Sequence, residues 1–223
     1  MRKLFVFFIL ATLISCSNKN DRSCDNSALY GYVNICLPRI KGMTECGNHP
    51  TIQQITQQYQ ATGPVLGYYL NNEMYKQIDQ IKPGETAYDD YFMIYGEYQR
   101  ENYRAAERDL EIMEKNLEQT LFEGANFEQI SSRIEDIYGT ITAGKPALIE
   151  KYSPRKNVLT MIVLIKYRNE TNETSVVSAV NCILLKNRLI TMAYYMTYSG
   201  GKTIDAVKEK NNETVGRLME VNQ

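Results

Sequence analysis

The chain has 223 residues, 43% hydrophobic and 23% charged, with a formal net charge of −1. That balance excludes a disordered tail, a collagen-like fibre and a multi-pass membrane protein. With 25 lysines and arginines against 26 aspartates and glutamates, there is no global basic field to hold a nucleic-acid backbone by counterion release. The first residues set the compartment. Arg2 and Lys3 precede an almost unbroken apolar run, residues 4–13, which ends at Leu13-Ile14-Ser15-Cys16. This is the pattern of a secretory signal peptide over residues 1–15. The run is about ten residues long, half of what a helix needs to cross a hydrocarbon core.

Leu13-Ile14-Ser15-Cys16 resembles the bacterial lipobox, which implies cleavage before Cys16 and diacylglyceryl attachment to its thiol. The leader would take Arg2 and Lys3 with it, turning the formal charge of −1 into −3. Acyl chains hold a protein to a bilayer without help from basic residues, at about 0.8 kcal/mol per buried methylene. Residues 16–28 read as a lipidated, solvated tether, the polar stretch 17–27 reaching at most about 36 Å at about 3.3 Å per residue. Ser17 after the lipidated cysteine resembles outer-membrane sorting in enteric bacteria, so the expected location is the cell envelope, on the outer membrane facing the periplasm.

Residues 29–223 are expected to form a single α+β domain. Residues 29–37 read as one first strand ended by Pro38. Ile52, Ile55 and Tyr59 share a helical face over residues 51–60, and residues 65–70 and 91–98 are aromatic, strand-like runs. Ala106, Leu110, Met113, Leu117 and Leu121 recur at intervals of three and four, predicting an amphipathic helix. Phe127, Ile130, Ile134 and Ile137 continue the stripe in a second helix ended by Gly139. Residues 147–152, 158–167, 175–185 and 188–198 then read as antiparallel strands joined by turns, the last at Lys186-Asn187. Along 158–167, Leu159, Met161, Val163 and Ile165 make one apolar face and Val158, Ile162 and Leu164 much of the other. A sheet apolar on both faces needs helices on both faces, and the final stripe Ile204, Val207, Asn211, Val215, Leu218 supplies one of them. The expected architecture is an antiparallel sheet covered on both sides, an α/β/α sandwich.

The strand Val33-Asn34-Ile35-Cys36-Leu37-Pro38, the middle helices, and the run Val180-Asn181-Cys182-Ile183-Leu184-Leu185-Lys186-Asn187-Arg188-Leu189-Ile190 leading to Tyr194-Tyr195-Met196-Thr197-Tyr198 and a last amphipathic helix together resemble the PsbP and DcrB-like fold. The resemblance covers most of the mature chain, with a long glutamine-rich insertion between Gly47 and Lys82 as its departure. It implies an antiparallel sheet flanked by helices in a family made mostly of binders, with no catalytic motif to carry over. Fold analogy by itself does not assign a function.

Chemistry-bearing patterns are sparse. His49, the only histidine, would have to serve every histidine-dependent scheme, and no local nucleophile signature accompanies it. Cys24, Cys36 and Cys46 are spaced at twelve and ten, unlike zinc ribbons, so a disulfide from Cys46 to Cys36 or to Cys24 is expected, with Cys182 as a buried small hydrophobe. Gly200-Gly201-Lys202-Thr203 lacks the leading glycine of a phosphate loop, which Met196 replaces, and reads as a turn and helix cap. Asp89-Asp90 near Glu85 lack the spacing of a calcium loop and read as solvated strand-edge charges. No metal, cofactor or catalytic residue is expected.

Seventeen tyrosines and no tryptophan are the outstanding compositional feature. Tyrosine suits both a half-buried rim and a recognition face. Tyr68, Tyr69, Tyr194, Tyr195 and Tyr198, with the loop over residues 41–60, are the expected contact surface. The expected function is that of a non-catalytic envelope lipoprotein that binds another protein or peptide, as adaptor, assembly factor or immunity protein. A glycan or small-ligand binder is the alternative, and a periplasmic hydrolase the weaker one.

Overall fold

A computed structural model describes residues 24–57, 63–80, 89–122, 142–168 and 173–223. The fold is mixed α+β. Strands β1 (Ser27–Tyr30) and β2 (Val33–Cys36) form a separate two-stranded sheet. The expected single strand over 29–37 is therefore a hairpin. Gly31 and Tyr32 both take positive φ, 54° and 62°, the two-residue turn whose twist matches paired strands. Residues 24–28, assigned to the tether, carry a disulfide and the start of β1.

The main sheet is antiparallel, eight-stranded among the described residues. It contains β3 (Met43–Glu45), β4 (Val65–Asn71), β5 (Tyr91–Tyr95), β6 (Thr142–Ala143), β7 (Ala147–Tyr152), β8 (Val158–Arg168), β9 (Glu173–Leu185) and β10 (Arg188–Thr197). Its order is β3-β4-β5-β10-β9-β8-β6, with β7 also paired to β8. The long strands β8, β9 and β10 run in unbroken register, the β9–β10 turn being Lys186-Asn187 at φ 47° and 59°. Helices α1 (Pro50–Thr56), α2 (Asn72–Tyr75), α3 (Glu107–Phe122) and α4 (Gly201–Val221), with short 3-10 turns at Ile78–Gln80 and Tyr98–Arg100, complete the described elements. The second middle helix, with Phe127, Ile130, Ile134 and Ile137, lies outside the described residues, as does the leader with Cys16.

The two faces of β8 divide as their parity predicts. Val158, Ile162 and Leu164 pack with Ile183, Met192 and Tyr194 beneath Val207, Val215 and Leu218 of α4. Leu159, Met161, Val163 and Ile165 pack with Cys182, Leu184 and Leu189 beneath Leu110, Met113 and Leu117 of α3. On that same side, α1 covers β4 and β5 through Ile52 and Ile55. Each fully buried aliphatic side chain contributes about 1.5–3 kcal/mol by leaving water.

One polar group interrupts the α4 interface and is fully satisfied. Asn181, with no exposed surface, accepts from Thr160 Oγ1 at 2.7 Å and from Asn211 Nδ2 at 3.0 Å. Its Nδ2 donates to Met192 O at 2.8 Å and to Asn211 Oδ1 at 2.7 Å. The pair fixes α4 at one register on β9. At the far end of α4, the Asn222 amide accepts from Cys36 N and donates to Cys36 O, both at 2.8 Å, tying the chain end to β2.

Candidate functional site

The tyrosines chosen from the sequence divide by burial. Tyr68 and Tyr69 are each 2% exposed and Tyr194 is fully buried, so these three are core rather than contact surface. The reason lies in their tips. Tyr69 donates to Pro38 O at 3.0 Å and Tyr194 to Asp90 Oδ1 at 2.5 Å, so each hydroxyl is satisfied inside. Burial, reinforced for Tyr194 by Asp90, pushes both phenols up from their ordinary value. Tyr195 is half-buried and stacks on Tyr91 at 4.6 Å, and Tyr91 stacks in turn on Tyr68 at 5.6 Å. Of the five, Tyr198 is the most exposed, at 37%.

The cysteine expectation is corrected in its partner. Cys24 bonds to Cys36, while Cys46 is a buried free thiol. Spacings of twelve and ten gave no basis for choosing between them, and Cys46 is held away at β4, its thiol donating to Tyr68 O at 3.4 Å. Closing a loop of this length contributes about 2–3 kcal/mol. Cys182 is buried and free, as expected. Burial pushes both free thiols up to about 12, so neither supplies a thiolate near neutral pH.

The remaining motifs have structural roles. His49 caps α1, accepting from Thr51 N at 3.4 Å, with its Nε2 3.6 Å from Asp79. Asp90 binds Lys210 at 2.6 Å as well as Tyr194, and Asp89 accepts from Thr197 N at 2.7 Å, so these carboxylates knit β5 to β10 and α4. The cap of α4 is Gly200, with no side-chain cap bond, so the expected cap by Thr203 or Ser199 is not formed; Thr203, inside the first turn, accepts instead from Ser199 N at 3.1 Å. No group of three or more potential metal ligands occurs among the described residues, and none of the described helices is long and apolar enough to cross a membrane. A cleft of about 240 Å³ beside the Cys24–Cys36 bond is lined by Arg39 and Arg217 with Asp25 and Glu220. Its charges are already paired, Arg39 with Asp25 at 2.7 Å and Glu220 with Arg155 at 3.5 Å.

A different surface collects the exposed aromatic side chains. The tip of the β1–β2 hairpin, the segment between β5 and α3, and the β9–β10 turn meet at one edge of the molecule. Arg188, at the start of β10, joins them: Nε and Nη2 donate to Gly31 O at 3.1 and 2.6 Å, and Nη1 donates to Tyr103 O at 3.1 Å. Lys186 Nζ donates to Asn34 O at 2.9 Å and Ala105 N to Asn187 O at 3.0 Å. Tyr30 plugs the junction from within, its hydroxyl both donating to Glu97 O and accepting from Glu97 N at 3.0 Å. Two glycines make the close approach possible. A Cβ on Gly31 would lie 1.6 Å from Glu101 O, and one on Gly96 would lie 2.3 Å from the Tyr30 ring.

On this junction stand Tyr32 at 87% exposure, Leu29 at 69%, Tyr98 at 50% and Tyr103 at 45%, half of the large hydrophobic side chains left in water among the described residues. Scattered exposed apolar residues need no explanation, but a cluster held on a rigid backbone does. The sequence reading missed it because its members lie on two separate segments that are joined through an arginine 157 residues from Gly31. The trace present in the sequence is Tyr98-Gln99-Arg100-Glu101-Asn102-Tyr103-Arg104, where tyrosine and arginine alternate without strand or helix periodicity.

No family model matches the chain, and no curated protein does. Among solved structures, the Ran-binding protein Mog1p of Saccharomyces cerevisiae is similar over 88% of this chain and 92% of its own, at 12% identity and a TM-score of 0.40. A mutant of Mog1 is similar over 88% and 93%, at 12% identity and a TM-score of 0.39. Likeness at that distance says nothing about a partner for this chain.

Proposed function

We propose that this protein is a non-catalytic cell-envelope lipoprotein, anchored through Cys16, whose domain binds another protein or peptide through the three-loop face. It serves as an adaptor, assembly factor or immunity protein on the periplasmic side of the outer membrane. The anchor reading is supported by Leu13-Ile14-Ser15-Cys16 behind a charged leader. A PsbP/DcrB-like sandwich is the finer fold reading, supported by the strand and helix order together with a helix on each sheet face. The observation that carries the binding reading is the exposure of Leu29 and Tyr32 on the hairpin and of Tyr98 and Tyr103 on the segment after β5, which Arg188 and Tyr30 tie together. A face ordered before binding gives up little conformational entropy on docking, and tyrosine brings large contact area with few rotatable bonds.

The test is a photo-reactive amino acid placed at position 32, 98 or 103, and in separate controls at Asp205 or Glu209 on the outer side of α4, in the protein's own cells. Discrete protein adducts from the three face positions and none from the controls are expected. Equal adducts everywhere, or none at all, would reject the face. Labelling with radioactive palmitate, lost in Cys16→Ser, checks the anchor.

A further inference from the structure

Leu29 and Tyr32 of the three-loop face lie inside the covalent ring closed by Cys24 and Cys36. The β1–β2 hairpin in that ring is separate from the main sheet and spans only Ser27↔Cys36 to Tyr30↔Val33. A two-stranded hairpin this short is marginal without outside support. Its strands are supported unequally. β2 is tied down by Asn222, bonded to both the Cys36 N–H and its carbonyl, and by Lys186 at Asn34 O. β1 is held at its far end by the Tyr30 hydroxyl on Glu97. At its near end, besides the disulfide, it has the bond from Leu37 N to Asn26 O at 2.9 Å, the bond from Asn26 Nδ2 to Glu45 at 2.7 Å and the exposed Arg39–Asp25 pair. The disulfide is open to a small reagent. Cys24 is half-buried, and both cysteines line the cleft of about 240 Å³. Two arginines and two carboxylates share that cleft, so access rather than local charge sets its reactivity.

We propose that Cys24–Cys36 is a redox switch of the three-loop face: reduction by a dithiol lets β1 detach from β2 and takes Leu29 and Tyr32 out of the docking geometry. This rests on the protein-binding reading above and adds its regulation. A thiolate of the dithiol attacks Cys24 Sγ, the more accessible sulfur, and the Cys24–Cys36 bond breaks with its electron pair on Cys36. The second thiolate of the reductant then attacks its own sulfur in the mixed disulfide and releases Cys24. The dithiol leaves as a disulfide, having given two electrons, and its two protons end on the cysteine thiols. Opening a ring of this length raises the detached population of β1 roughly 30- to 150-fold. The eight-stranded sheet, which does not include the hairpin, stays folded.

The experiment treats the purified native protein with dithiothreitol, without denaturant. Freed thiols are alkylated and located by mass spectrometry, and amide hydrogen exchange compares the oxidised, reduced and Cys24→Ser/Cys36→Ser proteins. The expected result is alkylation at Cys24 and Cys36 and not at Cys46 or Cys182. Exchange should quicken roughly 30- to 150-fold over residues 27–33, and also rise over 97–105, while β8, β9 and β10 keep their protection. Reoxidation should restore the first pattern. If the serine variant fails to fold, reduction of the folded parent still decides. A bond that resists until urea unfolds the protein, reduction with no change at the hairpin, or faster exchange throughout the sheet would each overturn the switch and leave a purely structural disulfide. Photo-cross-linking from position 32 in cells tests the link to binding. Adducts lost in the serine variant support it, and equal adducts in parent and variant overturn it. A parent that gives no adducts, although its hairpin opens on reduction, rejects the docking face and leaves the redox response of the hairpin standing.

Discussion

Truncating Asn211 to alanine tests the claim that a satisfied amide pair, rather than apolar contact alone, sets α4 on the sheet. The substitution removes the bond from Asn211 Nδ2 to Asn181 Oδ1 and the bond from Asn181 Nδ2 to Asn211 Oδ1. Asn181 keeps Thr160 and Met192 as partners, so one of its N–H groups and one acceptor direction lose theirs in a fully buried site. Two net hydrogen bonds at about 1 kcal/mol each, plus about 1 kcal/mol for the orphaned amide group, give a loss of about 3 kcal/mol. In a domain of this size that lowers the melting temperature by roughly 6–12 °C. Urea and thermal denaturation read it. Asn212→Ala, one position along, loses only the bond from Tyr152 Oη and should cost about 1 kcal/mol. Replacing both Asn181 and Asn211 by leucine removes the two amides together but leaves Thr160 Oγ1 and Met192 O without them, so it should restore only part of the loss. The reasoning is refuted if Asn211→Ala costs no more than Asn212→Ala, or if the Asn181→Ala and Asn211→Ala losses simply add.

Gly31→Ala should separate the hairpin tip from the Glu101 loop, since the new Cβ would sit 1.6 Å from a carbonyl oxygen and φ is +54°. Amide hydrogen exchange should show protection lost first around residues 30–33 and 97–105, and uniform loss across the sheet would contradict this. Asp109 is held below the ordinary carboxylate range, first by the Ala106 N–H and also by Tyr103 and Arg108. A carboxyl whose pKa is lower in the folded state stabilises the fold above its unfolded value and loses that contribution as pH falls through the folded one. Asp109→Asn should therefore flatten the decline of melting temperature below about pH 4 relative to the parent. An unchanged slope would reject this. Cys46 and Cys182, with thiols pushed up to about 12, should resist a disulfide-exchange reagent at pH 8 in the native protein and react on unfolding in urea. Rapid native labelling of Cys46 would contradict its burial.

The parts of the fold legible in the sequence are those governed by local periodicity. Strand β8 declares two apolar faces through Leu159, Met161, Val163 and Ile165 on one side and Val158, Ile162 and Leu164 on the other, and each meets its own helix. The stripes of α3 and α4 and the Lys186-Asn187 turn follow the same local rules. The β1–β2 hairpin was hidden because its turn places an aromatic residue, Tyr32, at positive φ, where side chains of that kind are rare, inside a run that alternates like a single strand. Strand β6, two residues long, has no period to detect. Tyrosine burial was illegible for a different reason. Whether a phenol can go inside depends on a partner for its hydroxyl, and for Tyr69 and Tyr194 those partners, Pro38 O and Asp90, lie 31 and 104 residues away. The candidate face has the same character, assembled by Arg188 from turns and loops that carry no shared sequence pattern.

The most direct measurement of the docking claim is hydroxyl-radical footprinting of the tyrosines, on the purified protein and again in its own cells. Purified, Tyr32, Tyr98 and Tyr103 should oxidise fastest, in line with their exposure of 87%, 50% and 45%. In cells these three should be protected several-fold while Tyr198, on the sheet rim, keeps its rate. Equal rates for all four in both settings would mean that nothing covers the three-loop face, and would contradict the account.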